Sequence, residues 1–317
     1  MAITAATKTT DFSGFLPAHQ AAPIFERAAR VSVAQSLIPQ VPLGTSGESI
    51  PVVTGRPSVG WVGEGELKPA SAGSMTLKNM VPKKLAGILV VSAEVVRANP
   101  GGYVPTMRNS FAEAIAVAFD RAVFHDEGPG GQSGGGPFST FLDQTTKEVE
   151  LGTVDQDAGG IHGDFVQAMR EIVTDSDSSG RKYRLNGWAL DAVVEPELWD
   201  AVDKNGRPIY TELAINAESD GLATPGRLLN RRSFIGEGVA TEDGETVVGY
   251  GGDFSQAAWG QVGGISYRVS TEASVTINGT LTSLWEHNLL AILVEAEYGF
   301  VMNDADAFVK ITNAVGS

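Results

Sequence analysis

The nearest approach to a catalytic motif is Gly131-Gln132-Ser133-Gly134-Gly135, which satisfies G-x-S-x-G. In hydrolases that pattern sets a serine on a strained strand-to-helix turn, with backbone N–H groups beside it to hold an oxyanion. Here the serine follows an apolar helical stretch and sits among glycines, where nothing local would hold a strained turn. A flexible joint is the better reading, with Gly128, Gly130, Gly131 and Gly134 as its pivots. Asp175-Ser176-Asp177-Ser178-Ser179-Gly180 imitates the start of a calcium loop, but Asn186 stands where the bidentate Glu should be. His19, His125, His162 and His287 are far apart and lack ligand spacing, and the chain has no cysteine for a thiolate site or nucleophile. No glycine-rich stretch ends in Gly-Lys-Ser/Thr, so no phosphate cradle is expected. Asn278-Gly279-Thr280 fits a glycosylation pattern, yet nothing suggests secretion. Glu295 and Glu297 share one face of a strand and read as solvated or interfacial. The expectation is a protein without catalytic residues, metal or cofactor.

The elements that would carry these residues are organised around a rod. Met107, Phe111, Ala114, Ile115, Ala118, Phe119 and Ala122 recur at spacings of three and four, with Arg108, Asn109, Glu113 and Asp120 off the stripe. The spacing predicts a helix over 104–127, a length of roughly 35 Å. Pro105 suits its first turn, and Gly128-Pro129-Gly130-Gly131 ends it.

Before the rod, residues 1–16 read as an extended Thr/Ala-rich arm, and Ile24 to Ile38 as a short irregular helix stopped by Pro39 and Pro42. From 47 to 94 the texture is β, with strands predicted at 49–54, 58–62, 75–81 and 84–92. Gly63, Gly65, Pro69 and Gly73 mark a turn, so the simplest arrangement is a long hairpin with its tip near 63–74. A two-stranded ribbon is marginal alone in water. This one carries Trp61, Leu67, Met75, Leu77 and Met80 with little local chain to cover them. Either a partner covers it or the ribbon folds back on its own body.

After the rod comes a mixed α/β body. Asp164 can cap a helix with the stripe Phe165, Ala168, Met169, Ile172 and Val173. A strand is predicted at 188–194, a helix restarts at Glu195-Pro196, and 203–233 reads as loop. Strands follow at 246–249, 265–270, 274–277, 284–302 and 307–312, with Asn278-Gly279 as a hairpin turn.

A chain of 317 residues with 42% hydrophobic content can bury a substantial core. Its net charge of −15 argues against gripping DNA, which needs Lys and Arg to displace counterions. No apolar run reaches a membrane span, and MAITAATKTT lacks the apolar centre of a secretion signal. A soluble protein made in the cytoplasm is expected.

Several stretches together resemble the major capsid proteins of tailed bacteriophages with the Hong Kong 97-type fold. Gly60-Trp61-Val62-Gly63-Glu64-Gly65-Glu66-Leu67-Lys68-Pro69-Ala70-Ser71 is similar to that family's extended loop, and Lys84 to Glu94 to its return strand. The rod from Pro105 with its glycine cluster resembles the spine helix. Val194 to Trp199 and Asn205 to Tyr210 are similar to axial-domain segments, Gly252-Asp253-Phe254-Ser255 with Trp259-Gly260 to the return crossing. Tyr298-Gly299-Phe300 and Asp306-Ala307-Phe308-Val309 resemble the closing strands. Near Leu228 to Arg232 the expected Gly-x-Pro-Val-like turn is missing.

The resemblance implies an α+β capsid fold: arm and short helix 1–46, extended loop 47–94, spine helix 95–136, axial domain 137–262, and C-terminal peripheral strands 263–317. It implies a virion protein that assembles with itself into hexamers and pentamers around double-stranded DNA, without sequence-specific binding. Portal and decoration proteins are implied partners, and because Met1 directly precedes the arm the resemblance also implies a separate scaffolding protein or a scaffold-free route. Trp61, Glu64, Glu66, Lys68, Met75, Leu77 and Lys78 would be the inter-subunit contacts of the loop. No triad aligns with Lys68, Lys78 and Asn278, so covalent crosslinking is not expected. The alternatives are an encapsulin-type compartment and a serine hydrolase using Ser133.

Overall fold

The computed structural model describes residues 32–98, 103–128, 134–155, 159–176, 180–203, 205–212, 223–240 and 247–313. Its longest helix, α3 (Tyr103–His125), follows α1 (Val33–Leu37) and α2 (Ala93–Ala98). The rod is therefore where the spacing placed it, but its buried face is wider. Ala112, Ile115, Ala116, Phe119, Ala122, Val123 and Phe124 are all enclosed, whereas Ala114 is exposed. Asp120, expected off the stripe, is fully buried. The second half of α3 contacts α1, the turn at Leu142–Gln144 and a long strand, so its enclosed face extends beyond the predicted stripe. Phe119 sits at the centre of that packing, with its ring 4.9 Å from Tyr298, 6.0 Å from Trp259 and 6.1 Å from Phe138.

Two sheets share this core. The first has β3 (Lys83–Ser92) and β10 (Ala257–Ser270) on either side of β13 (Leu289–Met302), all antiparallel. Gly263 and Gly264, both at positive φ, make a bulge in β10 where its register against β13 shifts. The expected 262/263 boundary thus falls inside one continuous strand. A side hairpin, β11 (Ser274–Ile277) and β12 (Thr280–Ser283), turns through Asn278-Gly279, both at positive φ as that turn requires. Residues 284–288, predicted as strand, instead form turns and expose Trp285.

The second sheet has seven strands in the order β4 (Glu148–Leu151), β14 (Phe308–Asn313), β9 (Val247–Gly252), β5 (Gly187–Leu190), β8 (Arg231–Ile235), β7 (Thr224–Leu228) and β6 (Tyr210–Glu212). The last strand of the chain lies inside it, between β4 and β9. Hydrogen bonding therefore divides 263–317: the rest of β10 and all of β13 belong to the first sheet, β11 and β12 to their own hairpin, and 308–313 to the second sheet. The loop-rich reading of 203–233 missed β6, β7 and β8. Their signal is masked because Leu229 and Asn230, not glycines, take the positive φ of the tight turn between β7 and β8.

α4 (Gly160–Thr174) packs Phe165, Ala168 and Ile172 against this sheet, while Val173 is exposed. Asp164 is one turn inside α4 and does not cap it. Its carboxylate instead accepts from the backbone N–H of Gly152 and Val154, at 2.8 and 3.1 Å, and from the Thr153 hydroxyl, holding the preceding loop. α5 (Glu195–Asp200) starts with Pro196 in its first turn, as expected.

Candidate assembly interface

The ribbon begins where β1 (Glu48–Gly55) pairs antiparallel with β2 (Ser74–Met80). Ser49 and Thr54 of β1 bond across to Asn79 and Ser74, so polar side chains support the ladder on its wet face. Residues 58–62, predicted as a strand, form none. Beyond Gly55 the chain is tied by the Ser71 hydroxyl, which accepts from Ser58 N–H at 2.8 Å and donates to Ser58 C=O at 3.1 Å. At the tip, Gly63 N–H donates to the Glu66 carboxylate and Glu66 N–H to Gly63 C=O. Gly65 supplies the positive φ.

Among the described residues nothing covers this tip. Trp61 is fully exposed, at 105% of its reference area, and Val59 and Leu67 are at 95% each. Met75 and Leu77 are also exposed, as are Glu64, Glu66 and Lys68. Among the described residues the tip does not fold back on the chain's own flank. Lys78 differs from the other loop residues: it is half-buried, beside the body at the ribbon's root.

The root itself is anchored. Met80 is wholly buried with Leu43 and Val301. It seats against the cross-strand pair Gly260–Gly299, and a Cβ at Gly299 would lie 2.8 Å from Met80 Cγ and from Leu43 Cδ2. At Gly260 a Cβ would meet Val41 C=O at 2.7 Å. Two glycines facing each other across the ladder thus make the groove that receives the ribbon. The sequence carries both glycines, but not the pairing that makes them a unit.

The segment leading to the ribbon is tied to α3 by a buried carboxylate. Asp120 Oδ1 accepts from the Ser32 hydroxyl at 2.6 Å and from Ala34 N–H at 3.1 Å, and Oδ2 from Val33 N–H at 2.8 Å. These are the orphan donors at the start of α1, so a side chain from another helix completes its cap. Burial pushes the Asp120 carboxyl up to about 7, against the three donated hydrogen bonds, which pull the other way. No local pattern announces this contact, because its partners are far apart in the chain.

At the other end of α3, His125 Nε2 lies 2.5 Å from the Val239 carbonyl, and its Nδ1 lies 3.1 Å from the Tyr250 hydroxyl. Tyr250 also donates to Asp143, which Lys310 bridges at 3.3 Å. His125 is therefore a packing residue of the core, as expected. Of the joint glycines, Gly130 and Gly131 lie outside the described residues, as does Ser133. Gly128 and Gly136 flank the gap: a Cβ on either would collide with the chain opposite, Gly135 C=O at 2.3 Å and Asp126 Oδ1 at 2.2 Å. Close backbone approach, not only freedom, requires glycine there. Gly134 is at positive φ. Among the described residues no group of His, Asp and Glu is arranged to hold a metal ion, and no helix is long and apolar enough to cross a membrane.

This α+β fold recurs in solved chains from phages. A structure from Gordonia phage Cozz aligns with a TM-score of 0.70 at 23% identity, over 90% of this chain and 87% of that one. One from Mycobacterium phage Ogopogo aligns at 0.67 and 21%, over 98% and 100%. The chain belongs to the phage capsid family, whose model matches residues 13–313. It is 43% identical to the probable major capsid protein of Mycobacterium phage L5, over 98% of this chain and 92% of that protein. The corresponding protein of Mycobacterium phage D29 is 40% identical over 98% and 94%.

Proposed function

We propose that this chain is a major capsid protein that assembles with itself into the hexamers and pentamers of a closed icosahedral phage head enclosing double-stranded DNA. The observation that carries the reading is the ribbon, anchored at Met80 and bare at Trp61 and Leu67. Val59, Trp61 and Leu67 together expose the kind of apolar stretch that marks an interaction surface, and family membership points to another copy as the partner. On this reading β1, β2 and residues 56–73 are the extended loop of a Hong Kong 97-type subunit, and α3 is its spine. The seven-stranded sheet forms the axial domain, and the first sheet the peripheral one. Trp61 is an apolar anchor beneath the neighbour, with Met75 and Leu77 beside it. Glu64, Glu66 and Lys68 make charged contacts at the tip, and Lys78 one at the root. Gly128, Gly130, Gly131 and Gly134 let one sequence take slightly different bends in hexamers and pentamers.

Portal, separate scaffolding and decoration proteins complete such a particle, and synthesis takes place in the host cytoplasm. An encapsulin-type compartment and a hydrolase using Ser133 are not favoured. Electron microscopy of the expressed chain tests the proposal. Closed shells are expected, and a stable monomer would end it. Double-stranded DNA inside virions containing this chain, instead of enzyme cargo, separates a phage head from the compartment reading. Ester hydrolysis unchanged by Ser133→Ala disposes of the hydrolase.

A further inference from the structure

The ribbon's root borders a cleft of about 340 Å³ between β1, β2 and the body. Its lining combines apolar side chains, among them Ile50, Val52 and Val301, with three cations, Arg56, Lys78 and Arg181. The volume falls within the ~300–1,000 Å³ of sites that enclose a small ligand. A lining of apolar and cationic side chains fits an occupant of complementary chemistry, an apolar group flanked by carboxylates. The described residues contain such a group: the tip, with Trp61 and Leu67 exposed beside Glu64 and Glu66. The tip is not seated in the cleft of its own chain: Trp61 and Leu67 stand fully in water, and the Ser58–Ser71 hydrogen bonds hold the ribbon closed beyond Arg56.

We propose that the cleft at the root of one ribbon is the receptor for the ribbon tip of a second copy of this chain. Trp61 seats over Ile50, Val52 and Val301, while Glu64 and Glu66 meet Arg56 and Lys78. The inference rests on the reading of the ribbon as an inter-subunit arm and supplies that arm's acceptor. Because the donor and acceptor patches differ, the contact is heterologous. Each copy gives one tip and takes one, which closes into a ring when the rotation allows. Like charges placed in the contact oppose it, and complementary ones set its register.

The absence of cysteine gives a clean test. Full-length chain carrying Glu64→Cys and Arg56→Cys is assembled into shells and treated with a short bismaleimide. The expected result is a ladder of covalent multimers on a denaturing gel, absent from either single-cysteine variant. In parallel, Glu64→Lys with Glu66→Lys lowers shell yield by roughly tenfold or more, and adding Arg56→Glu with Lys78→Glu restores most of it. Shells that form normally without tip-to-cleft crosslinks overturn this inference and leave the capsid reading intact. A crosslink within single chains, or one from the cleft to a cysteine placed in the 1–31 arm, also overturns it, by naming a different occupant. Failure of the unmodified chain to form shells overturns both.

Discussion

Asp120 shows how much one side chain can hold. Its carboxylate is the shared acceptor for Ser32, Val33 and Ala34, all in a fully buried setting. Asp120→Ala leaves those donors buried without partners and is expected to cost about 2–4 kcal/mol in thermal or urea unfolding. Asp120→Asn keeps acceptor capacity and is expected to cost less. The pH dependence has a definite sign. With the folded carboxyl pushed up to about 7 and its ordinary value at 3.8, the native chain binds more protons between those values. Its contribution is fully present below about 4 and is lost as pH rises through about 7. A stability-against-pH curve for Asp120→Asn is therefore expected to be flatter than wild type across that window, and an equal slope would remove Asp120 from the account. Trp61 is the opposite kind of residue, with all its area in water and no internal contact to lose. Trp61→Ala is expected to change unfolding by no more than about 0.5 kcal/mol while sharply reducing the yield of shells. Normal yield by sedimentation would refute its role as an anchor.

At the scale of elements, the ribbon is governed by how its root is held. Gly260 and Gly299 face each other in the β10–β13 ladder and receive Met80 and Leu43 in the space their missing side chains leave. Gly299→Ala puts a Cβ 2.8 Å from both neighbours. Because the site is packed and strand backbone sits behind it, a cost of about 1–3 kcal/mol is expected. Limited proteolysis is expected to cut earlier near the ribbon root in that variant. Met80→Ala, which leaves a hole instead of a clash, is expected to cost about 2–5 kcal/mol. This anchoring also shows what a linear reading can and cannot find. Long or strongly marked elements were legible: α3 from its apolar spacing, the β11–β12 turn from Asn-Gly, α5 from its early proline, and the ribbon from β-texture around glycines. The tip's isolation was legible as a question, since exposed apolar residues could have been buried elsewhere. Short strands set by tertiary pairing were not, as β6 to β8 illustrate. Nor were contacts between distant residues: Asp120 with Ser32, Gly260 with Gly299, and the return of β14 between β4 and β9.

At the scale of the whole molecule, charge and shape pull in different directions. Each chain carries a net charge of −15, so copies brought together in a shell repel one another. Association must come from local complementarity, an indole and carboxylates meeting a cationic apolar cleft, acting against that background. Salt screens both terms, but not equally. Repulsion between whole chains acts across many ångströms and fades once the screening length drops to about 8 Å at physiological ionic strength. A tip seated in a cleft keeps its apolar contact and its close, partly enclosed ion pairs. Shell assembly is therefore expected to improve as salt rises from low to physiological strength, then to level off instead of collapsing, as followed by light scattering. On the proposed reading, the same charge sets the relation to an enclosed genome. A wall with a cationic inner face would grip DNA and resist both its filling and its emptying. Unassembled chain is accordingly expected to show no measurable retention of duplex DNA at physiological salt in a mobility-shift or anisotropy titration. Tight, salt-sensitive binding with a slope of several counterions would instead mean that the basic side chains are gathered on one face, and that the wall holds its contents by attraction.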